Sequence, residues 1–202
     1  MIGKVKIRHL FLLAWLAALS TKAQVSSENY VQTTERISDT QVLSTTEYYD
    51  GLGRPFEMVE QKKTPDGANL IHLKEYDGLG RDWKTWLPVK DASDFLSISA
   101  ARSQGNNQYR DSHAFSLTEY DGSPLNRINT VEGVGAEWTS HPVKKDYLVN
   151  TSKYPLNCKY YRVSMQGQLQ DKGYYPEGRL YVTKTTDENG NESYEFKNIA
   201  GN

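Results

Sequence analysis

The sequence predicts a mainly β fold of antiparallel hairpins arranged as a meander, with at most one or two short helices. Runs rich in β-branched and aromatic residues alternate in polarity with a period near two, as half-buried strands do. Segments rich in Asp and Gly interrupt these runs, and Asn189-Gly190 between two of them is a strong hairpin signal. The near-copies EYYDGLGRP at 47–55 and EYDGLGRDW at 75–83 indicate a repeated supersecondary unit.

Residues 1–23 predict a secretory signal peptide. Basic Lys4, Lys6 and Arg8 precede the apolar run 10–19, and Ala23 supplies a small residue for cleavage. The apolar run is too short for a membrane-spanning helix, which needs about 20 residues. The chain is therefore expected to be exported to the periplasm, the cell surface or the extracellular medium, with no membrane span after cleavage.

Residues 24–40 predict a polar lead-in, with one edge strand around 30–34. Residues 41–88 predict four strands joined by three tight turns, an antiparallel meander. DGLG forms the first and third of these turns, and Pro65-Asp66-Gly67 supplies the turn chemistry of the second.

Residues 89–175 are less regular. Asp94 is expected to cap a short helix that ends before Gly105, and the segment 113–133 indicates strand, turn and strand. The segment 133–175 gives no clear element. Residues 176–202 predict a hairpin around Asn189-Gly190 that continues into a further repeat.

The repeated unit centres on a turn of sequence Tyr-Asp-Gly-Leu-Gly-Arg, with weaker copies that begin near residues 120, 186 and 196. Its Asp can accept a hydrogen bond from the amide two residues on, and its glycines can supply positive φ. Its Tyr can pack across the strand pair, and its Arg can cover an aromatic ring or pair with an Asp of an adjacent unit. The predicted structural turn residues are Tyr49, Asp50, Gly51, Gly53, Arg54, Tyr76, Asp77, Gly78, Gly80, Arg81, Tyr120, Asp121, Gly122, Arg127, Asp187, Asn189 and Gly190.

Two ligand-binding interpretations of these residues are weaker than the turn. Asp50, Asp77 and Asp121 could be calcium ligands, but the acid spacing of an EF-hand and its closing Glu are missing. We therefore predict no metal and no cofactor. The tyrosine–arginine pairs, or Trp83 with Trp86, could instead form a sugar-stacking platform. Residues three apart in a strand point to opposite faces, so at least one of these tryptophans is expected in the core.

Charge and reactive residues argue against several classes of function. Signal removal leaves 20 basic and 25 acidic residues, a net charge of −5 with no basic cluster, which disfavours binding to nucleic acid or anionic lipid. Cys158 is the only cysteine, so it is either a buried inert thiol or one half of an intermolecular bridge. The histidines lack metal-site spacing and no nucleophile motif occurs, so we predict no enzyme activity and no catalytic residue.

The motif Tyr-Asp-x-x-Gly-Arg, present as YYDGLGRP and YDGLGR, resembles the YD repeat of RHS-repeat proteins. SPLNR at 123–127, Trp138, the pair Tyr147-Leu148 and the segment 178–198 extend the likeness over nearly the whole mature chain, from about Asn29. The chain is similar to the N-terminal domain that precedes the repeats in RHS-repeat-associated core proteins of Bacteroidota. That resemblance implies a secreted or surface β-rich protein related to polymorphic toxins, whose repeats coil into a shell around a C-terminal effector, and no enzymatic activity for this domain.

The resemblance implies a non-catalytic structural module of an exported RHS/YD-repeat protein; a surface binding module for a glycan or a partner protein is the alternative. Full-length members carry a core segment with an Asp-Pro self-cleavage motif and a variable tail. Neither is present, so the sequence predicts a truncated member or a split-gene product. Its partner would be the remainder of an RHS-type protein or a neighbouring-gene product. Its last strand is expected to leave an open edge prone to association.

Overall fold

The computed structural model of the chain describes residues 28–39 and 41–201. The predicted signal peptide and residues 24–27 of the predicted lead-in lie outside the described residues. Among those that are described, no helix is long and apolar enough to cross a membrane.

The described residues are mainly β-structure, which confirms the predicted fold class. One α-helix, α1 (Ile98–Tyr109), and one short 3-10 helix (Ala136–Ser140) accompany the strands. The strands are β1 (Asn29–Arg36), β2 (Val42–Tyr49), β3 (Pro55–Glu60), β4 (Asn69–Tyr76), β5 (Asp82–Trp86), β6 (Val89–Asp91), β7 (Phe115–Tyr120), β8 (Ile128–Glu132), β9 (Val143–Val149), β10 (Lys159–Val163), β11 (Leu169–Tyr174), β12 (Tyr181–Thr186) and β13 (Glu192–Lys197).

A single antiparallel sheet holds eleven of these strands, in the order β1-β2-β3-β4-β5-β7-β8-β9-β12-β13, with β6 paired to β4 beside this path. Neighbours in the sheet are nearly always neighbours in sequence, as the predicted meander requires. β4 is long enough to pair with β6 at its first residues and with β5 at its last ones. β10 and β11 pair only with each other, and they form a separate two-stranded ribbon inserted between β9 and β12.

The hydrophobic core lies on one face of the sheet, where α1 and the segment 92–97 cover β2–β5 and β7. Alternation places the buried side chains of β4 on this face and leaves its intervening residues half-buried on the other. Trp86 lies in the core while Trp83 is half-buried, as expected for residues three apart in a strand. The core residues are Tyr48, Phe56, Val59, Ile71, Leu73, Trp86, Val89, Ala101, Ala114 and Phe115.

The helix begins at Ser97, whose hydroxyl accepts a hydrogen bond from the Ala100 amide at 3.3 Å; the prediction that Asp94 caps it is wrong. Asp94 instead holds the preceding segment to the sheet, because its carbonyl accepts from the Tyr48 hydroxyl at 2.6 Å. The helix also continues through Gly105 rather than ending before it. A Cβ at Gly105 would lie 3.3 Å from the Trp86 ring, so this glycine permits close packing of helix on sheet.

Two buried carboxylates help to fix the helical layer to the sheet. Glu75 accepts hydrogen bonds from the Trp86 indole at 2.7 Å and from Arg102 Nε at 2.8 Å, so its charge is paired with a residue of α1. Glu57 is 1% exposed, and its Oε1 accepts from the Leu96 amide at 3.0 Å. Its Oε2 has no hydrogen-bond partner among the described residues. Burial raises the pKa of Glu57 to about 7, because the charged form loses its hydration.

We expect Glu57 to weaken the fold as pH rises. Its folded-state pKa of about 7 lies above the ordinary glutamate pKa of 4.5, so its favourable contribution is complete below about pH 4.5 and is lost as pH rises through about 7. Glu57→Gln removes the ionisation and keeps an acceptor for Leu96. At pH 8 this variant should exceed the wild type in unfolding free energy by up to about 3 kcal/mol. At pH 4.5 the two should be nearly equal in urea denaturation.

Glu60→Gln, on the open face of the same strand, is the matched control with the opposite sign. Burial alone would raise the pKa of Glu60, but hydrogen bonds from Lys63 and His72 lower it. This variant should therefore lose stability relative to the wild type at pH 8. A Glu57→Gln variant that is no more stable than the wild type at pH 8 would contradict the burial argument.

Candidate functional site

The most regular feature of the molecule is a row of three turns at one end of the sheet. They join β2 to β3 (residues 50–54), β4 to β5 (77–81) and β7 to β8 (121–127). Because successive strands are antiparallel, every second connection returns to the same end of the sheet. We call this row the turn rim.

The backbone of the first two rim turns is the same. The Asp50 amide donates to the Arg54 carbonyl and the Gly53 amide donates to the Asp50 carbonyl, both at 3.0 Å. Gly53 has φ 77° and Gly80 has φ 81°, a left-handed conformation that glycine adopts without a steric penalty. This is a three-residue hairpin loop with a G1 bulge, and the strand register shifts by one residue beside it.

The aspartate of each rim turn organises the loop, as predicted. Asp50 Oδ1 accepts from the amides of Leu52 and Arg54, both at 2.9 Å, and its Oδ2 accepts from Arg54 Nε at 2.8 Å. Asp77 makes the equivalent bonds to Leu79 and Arg81. The Arg54 amide, followed by its guanidinium and the Leu52 amide, holds the pKa of Asp50 below its usual value. The arginine thus pairs with the aspartate of its own turn rather than with that of an adjacent unit.

The third rim turn reaches the same arrangement with a longer loop. Asn126 takes the left-handed position with φ 53°, and Arg127 Nε donates to Asp121 Oδ2 at 2.7 Å. The Ser123 hydroxyl donates to Asp121 at 2.7 Å and contributes most to lowering the pKa of this carboxyl. The insertion SPL therefore enlarges the loop without changing the residues that close it.

The first glycine of the motif does not have the role that the sequence suggested. Gly51, Gly78 and Gly122 have φ values outside the left-handed region, which only Gly53 and Gly80 of the rim glycines occupy. The expectation that the motif glycines all supply positive φ is therefore wrong for three of them.

Each rim arginine lies over the tyrosine that precedes the next turn. Arg54 Cζ is 4.5 Å from the centroid of the Tyr76 ring, and Arg81 Cζ is 4.5 Å from that of Tyr120. Each of these tyrosines donates its hydroxyl back to the residue that follows the arginine, Pro55 O at 2.6 Å and Asp82 O at 2.9 Å. Burial raises the pKa of both hydroxyls. We call this series of contacts the arginine–tyrosine ladder.

The strand register explains why the ladder repeats. The pairing of β3 with β4 ends at Glu57 and Leu73, three residues before Arg54 and Tyr76, so the two side chains meet on neighbouring strands beside the turn. Cation and ring are therefore cross-strand neighbours, at a separation where such pairs attract. The arginine also contacts the next turn, since Arg81 Nη1 donates to the Asp121 carbonyl at 3.3 Å. Each hairpin is thus joined to the next one by a stack and a hydroxyl bond, and the second rung adds the guanidinium bond of Arg81.

A third rung of the ladder was missed by sequence reasoning. Arg127 Cζ lies 4.8 Å from the centroid of the Tyr147 ring, and the Tyr147 hydroxyl donates to the Ile128 carbonyl at 3.0 Å. Tyr147 is not followed by an aspartate, so the motif does not mark it. The sequence singled out Tyr147 only as part of the family resemblance, and its place opposite the strand that follows Arg127 emerges from the pairing of β8 with β9.

In the connection from β9 to β12, Asn150 occupies the position that an aspartate holds in the rim turns. Its buried Oδ1 accepts from the amides of Arg179 and Leu180 at 2.9 and 2.8 Å, so residues 151–178 leave the sheet and return at one point. Gly178-Arg179 repeats the Gly-Arg pair of the other turns. Within residues 28–39 and 41–201, however, the Arg179 guanidinium has no acid or ring partner.

The remaining predicted turn residues lie elsewhere. Asp187, Asn189 and Gly190 form the same turn between β12 and β13 at the opposite end of the sheet, where Asn191 replaces the arginine and donates to Asp187. Tyr49 ends β2 at the rim, but its hydroxyl donates to Glu47 rather than to another hairpin. These residues form turns and strand ends as predicted, but they are not rungs of the ladder.

The ligand-binding alternatives find little support in this geometry. The carboxylates of Asp50, Asp77 and Asp121 are already occupied by amides and guanidinium groups. In the described part of the chain, no group of three or more His, Cys, Asp or Glu residues could hold a metal ion. Cys158 is half-buried at the base of the ribbon, with Sγ 3.7 Å from the Lys159 carbonyl.

Comparison with known proteins gives a family and little else. Residues 20–149 match the model of a family described as a domain of unknown function (DUF6443), which is more than half of the chain. The match ends at the last residue of β9, immediately before the inserted ribbon. Neither a curated protein nor a solved structure matches the chain.

We expect Arg81 and Tyr120 to be energetically coupled. A double-mutant cycle of Arg81→Met and Tyr120→Leu, measured by urea denaturation, should give a coupling energy of about 1 kcal/mol, since both groups are partly shielded from water. Arg179→Met is the matched control, because this arginine also follows a turn glycine but covers no ring; it should change stability by less than about 0.5 kcal/mol. A coupling energy near zero would show that the stack does not join the hairpins.

Two glycines in equivalent left-handed positions should respond differently to alanine. Gly53→Ala should cost about 1–2 kcal/mol for the backbone conformation alone, since nothing lies within 4 Å of the added Cβ. Gly80→Ala should cost about 1 kcal/mol more, because its Cβ would lie 2.7 Å from Arg54 Nη1 and displace that guanidinium from Tyr76. In an Arg54→Met background the two costs should become equal in chemical denaturation. An unchanged difference would assign it to something other than the arginine.

Proposed function

The chain belongs to the DUF6443 family, a domain of unknown function, and from that premise we propose that it is a non-catalytic structural module of an exported RHS/YD-repeat protein. The observation that carries the proposal is the arginine–tyrosine ladder. It joins three successive hairpins to their neighbours by the same contacts, Arg54 on Tyr76, Arg81 on Tyr120 and Arg127 on Tyr147.

A ladder of this kind is expected in a repeat protein, in which similar hairpins follow one another along the chain. Each unit contacts chiefly its sequence neighbours, so stability is built from local units and the interfaces between them, as in repeat proteins. The rim turns are closed internally, because each aspartate is satisfied by its own loop, and they provide scaffolding rather than a reactive group.

The far end of the sheet also fits this role. β13 is the last strand in the sheet order, and its outer edge is unpaired among the described residues. Residues 198–201 then repeat the rim turn: the Gly201 amide donates to the Asn198 carbonyl at 2.9 Å, and Gly201 has φ 83°. This geometry supports a further hairpin that would pair with β13, as in a continuing shell.

A glycan platform has less support than the structural role. The Tyr120 ring is covered by Arg81, and Lys84 Nζ lies 4.2 Å from the centroid of the Trp83 ring. Each ring therefore already has a cation over one of its faces, which a stacked sugar would have to displace from that face.

The proposal is tested first in the genome and then by co-purification. An RHS-type reading frame is expected directly downstream of codon 202 or in a neighbouring gene, and its product should co-purify with the tagged exported chain. An Arg54→Met, Arg81→Met, Arg127→Met triple variant should weaken that recovery, because it loosens the hairpins that present the edge. Arg179→Met should not. An unrelated neighbouring frame, together with a tagged chain recovered alone, would reject the proposal.

A further inference from the structure

The side chains of three rim-turn leucines lie largely in solvent in the described part of the chain. Leu52, Leu79 and Leu125 each precede the left-handed residue of their turn and point into solvent, with 79%, 78% and 70% of their surface exposed. We call this row the leucine crest. Because each leucine belongs to a two-strand hairpin and strands lie about 4.8 Å apart, the row has a period of about 10 Å.

The turn itself does not require a leucine. The same backbone bonds close three other hairpins of the chain, in which Gly67, Gly167 and Gly190 donate to the residue three positions earlier. The residue before the glycine in those turns is polar in every case: Asp66, Gln166 and Asn189. An exposed leucine at this position is therefore particular to the rim turns that carry the ladder.

The glycine that follows each rim aspartate is likewise unexplained by the fold. Gly51, Gly78 and Gly122 have ordinary φ values, and nothing lies within 4 Å of a Cβ built on any of them. The corresponding residues of the other three turns are Pro65, Met165 and Glu188, so this position tolerates side chains. Bare backbone without an internal reason is expected where another backbone or a ligand approaches closely.

The crest is electrically neutral although the mature chain is acidic. Each rim aspartate is paired with the arginine of its own turn, at 2.7 Å in all three turns. Two crests can therefore approach each other without repulsion between like charges.

We propose that the leucine crest is a contact surface for a second copy of this chain. Two rims meet in antiparallel fashion about a two-fold axis through the middle turn, residues 77–81. Leu79 of each copy packs on the bare backbone at Gly78 of the other, while Leu52 meets the turn at Gly122 and Leu125 meets that at Gly51. Each turn carries both an exposed leucine and a glycine whose backbone is uncovered. The surface is therefore complementary to itself, as an isologous interface requires.

The inferred dimer is weak. Even at the roughly 150 Å² that a small aromatic side chain buries, three leucines per copy hide less than about 500 Å². A standard interface buries about 800 Å² per partner. The sheet twist of about 20–25° per strand also moves the outer turns apart, so Leu79 should contribute most.

The test is sedimentation velocity of the chain that begins at Gln24, from about 10 µM to 1 mM. The wild type should show reversible, concentration-dependent dimers. Leu79→Ser should weaken dimerisation by about tenfold or more. Gly78→Ala should do the same by filling the floor, yet leave the melting temperature unchanged or higher, because its φ and surroundings accept a methyl group. Met165→Ser is the matched control, since Met165 is an exposed apolar residue in a turn of the same backbone outside the rim.

Four outcomes would overturn the inference. A wild type that stays monomeric at 1 mM excludes the contact. Dimers that survive both Leu79→Ser and Gly78→Ala come from another surface, such as the free edge of β13. Equal weakening by Met165→Ser would indicate non-specific apolar association. Binding of a monomeric wild type to phosphatidylcholine vesicles that is lost in Leu79→Ser would make the crest a lipid contact instead.

Discussion

The guanidinium that follows each rim turn is the group on which the regularity of the sheet depends. Arg54, Arg81 and Arg127 each satisfy the aspartate of their own loop and cover a tyrosine in the first strand of the next hairpin. One side chain therefore fixes both a local backbone conformation and a contact between units that are distant in sequence. If the turn opens, the stack loses its cation, and if the register slips, the cation loses its ring. Turn geometry and strand register are thus specified together.

The two ends of the long sheet are held by different means. β2–β5 and β7 rest on a packed core, with α1 and the segment 92–97 fixed by Tyr48, Glu57 and Glu75. Most residues of β9, β12 and β13 remain at least partly exposed, and buried apolar residues there are few, notably Leu180 and Val182. In that half the strands are held chiefly by their backbone pairing, and the rung of Arg127 on Tyr147 joins β9 to β8.

Local chemistry made much of this structure predictable from the sequence. The fold class followed from alternation and from Asp-Gly turns, and the role of the aspartate and the stacking of the arginine on a ring followed from the groups they carry. The pairing of each arginine with the aspartate of its own turn did not. Features that depend on contacts between distant parts of the chain could not be predicted from the sequence. Asp94 and Ser97 are both good helix caps, but Tyr48 binds the Asp94 carbonyl and Asn69 donates to its carboxylate, which leaves the cap position to Ser97. Tyr147 carries no motif, and it becomes a rung only because β8 and β9 bring it opposite Arg127.

Asn150 shows that this end of the sheet can carry a long insertion between two paired strands. Its amide oxygen holds the two ends of the segment 151–178 together, and β12 pairs with β9 as directly as if a short loop joined them. Lengthening a loop whose ends are already clamped adds little entropic cost. A hairpin tip of this sheet can therefore host a whole extra β-ribbon while the strands beneath it keep their register. The rim is a permissive graft position, at which new surface can be acquired or exchanged without redesign of the scaffold.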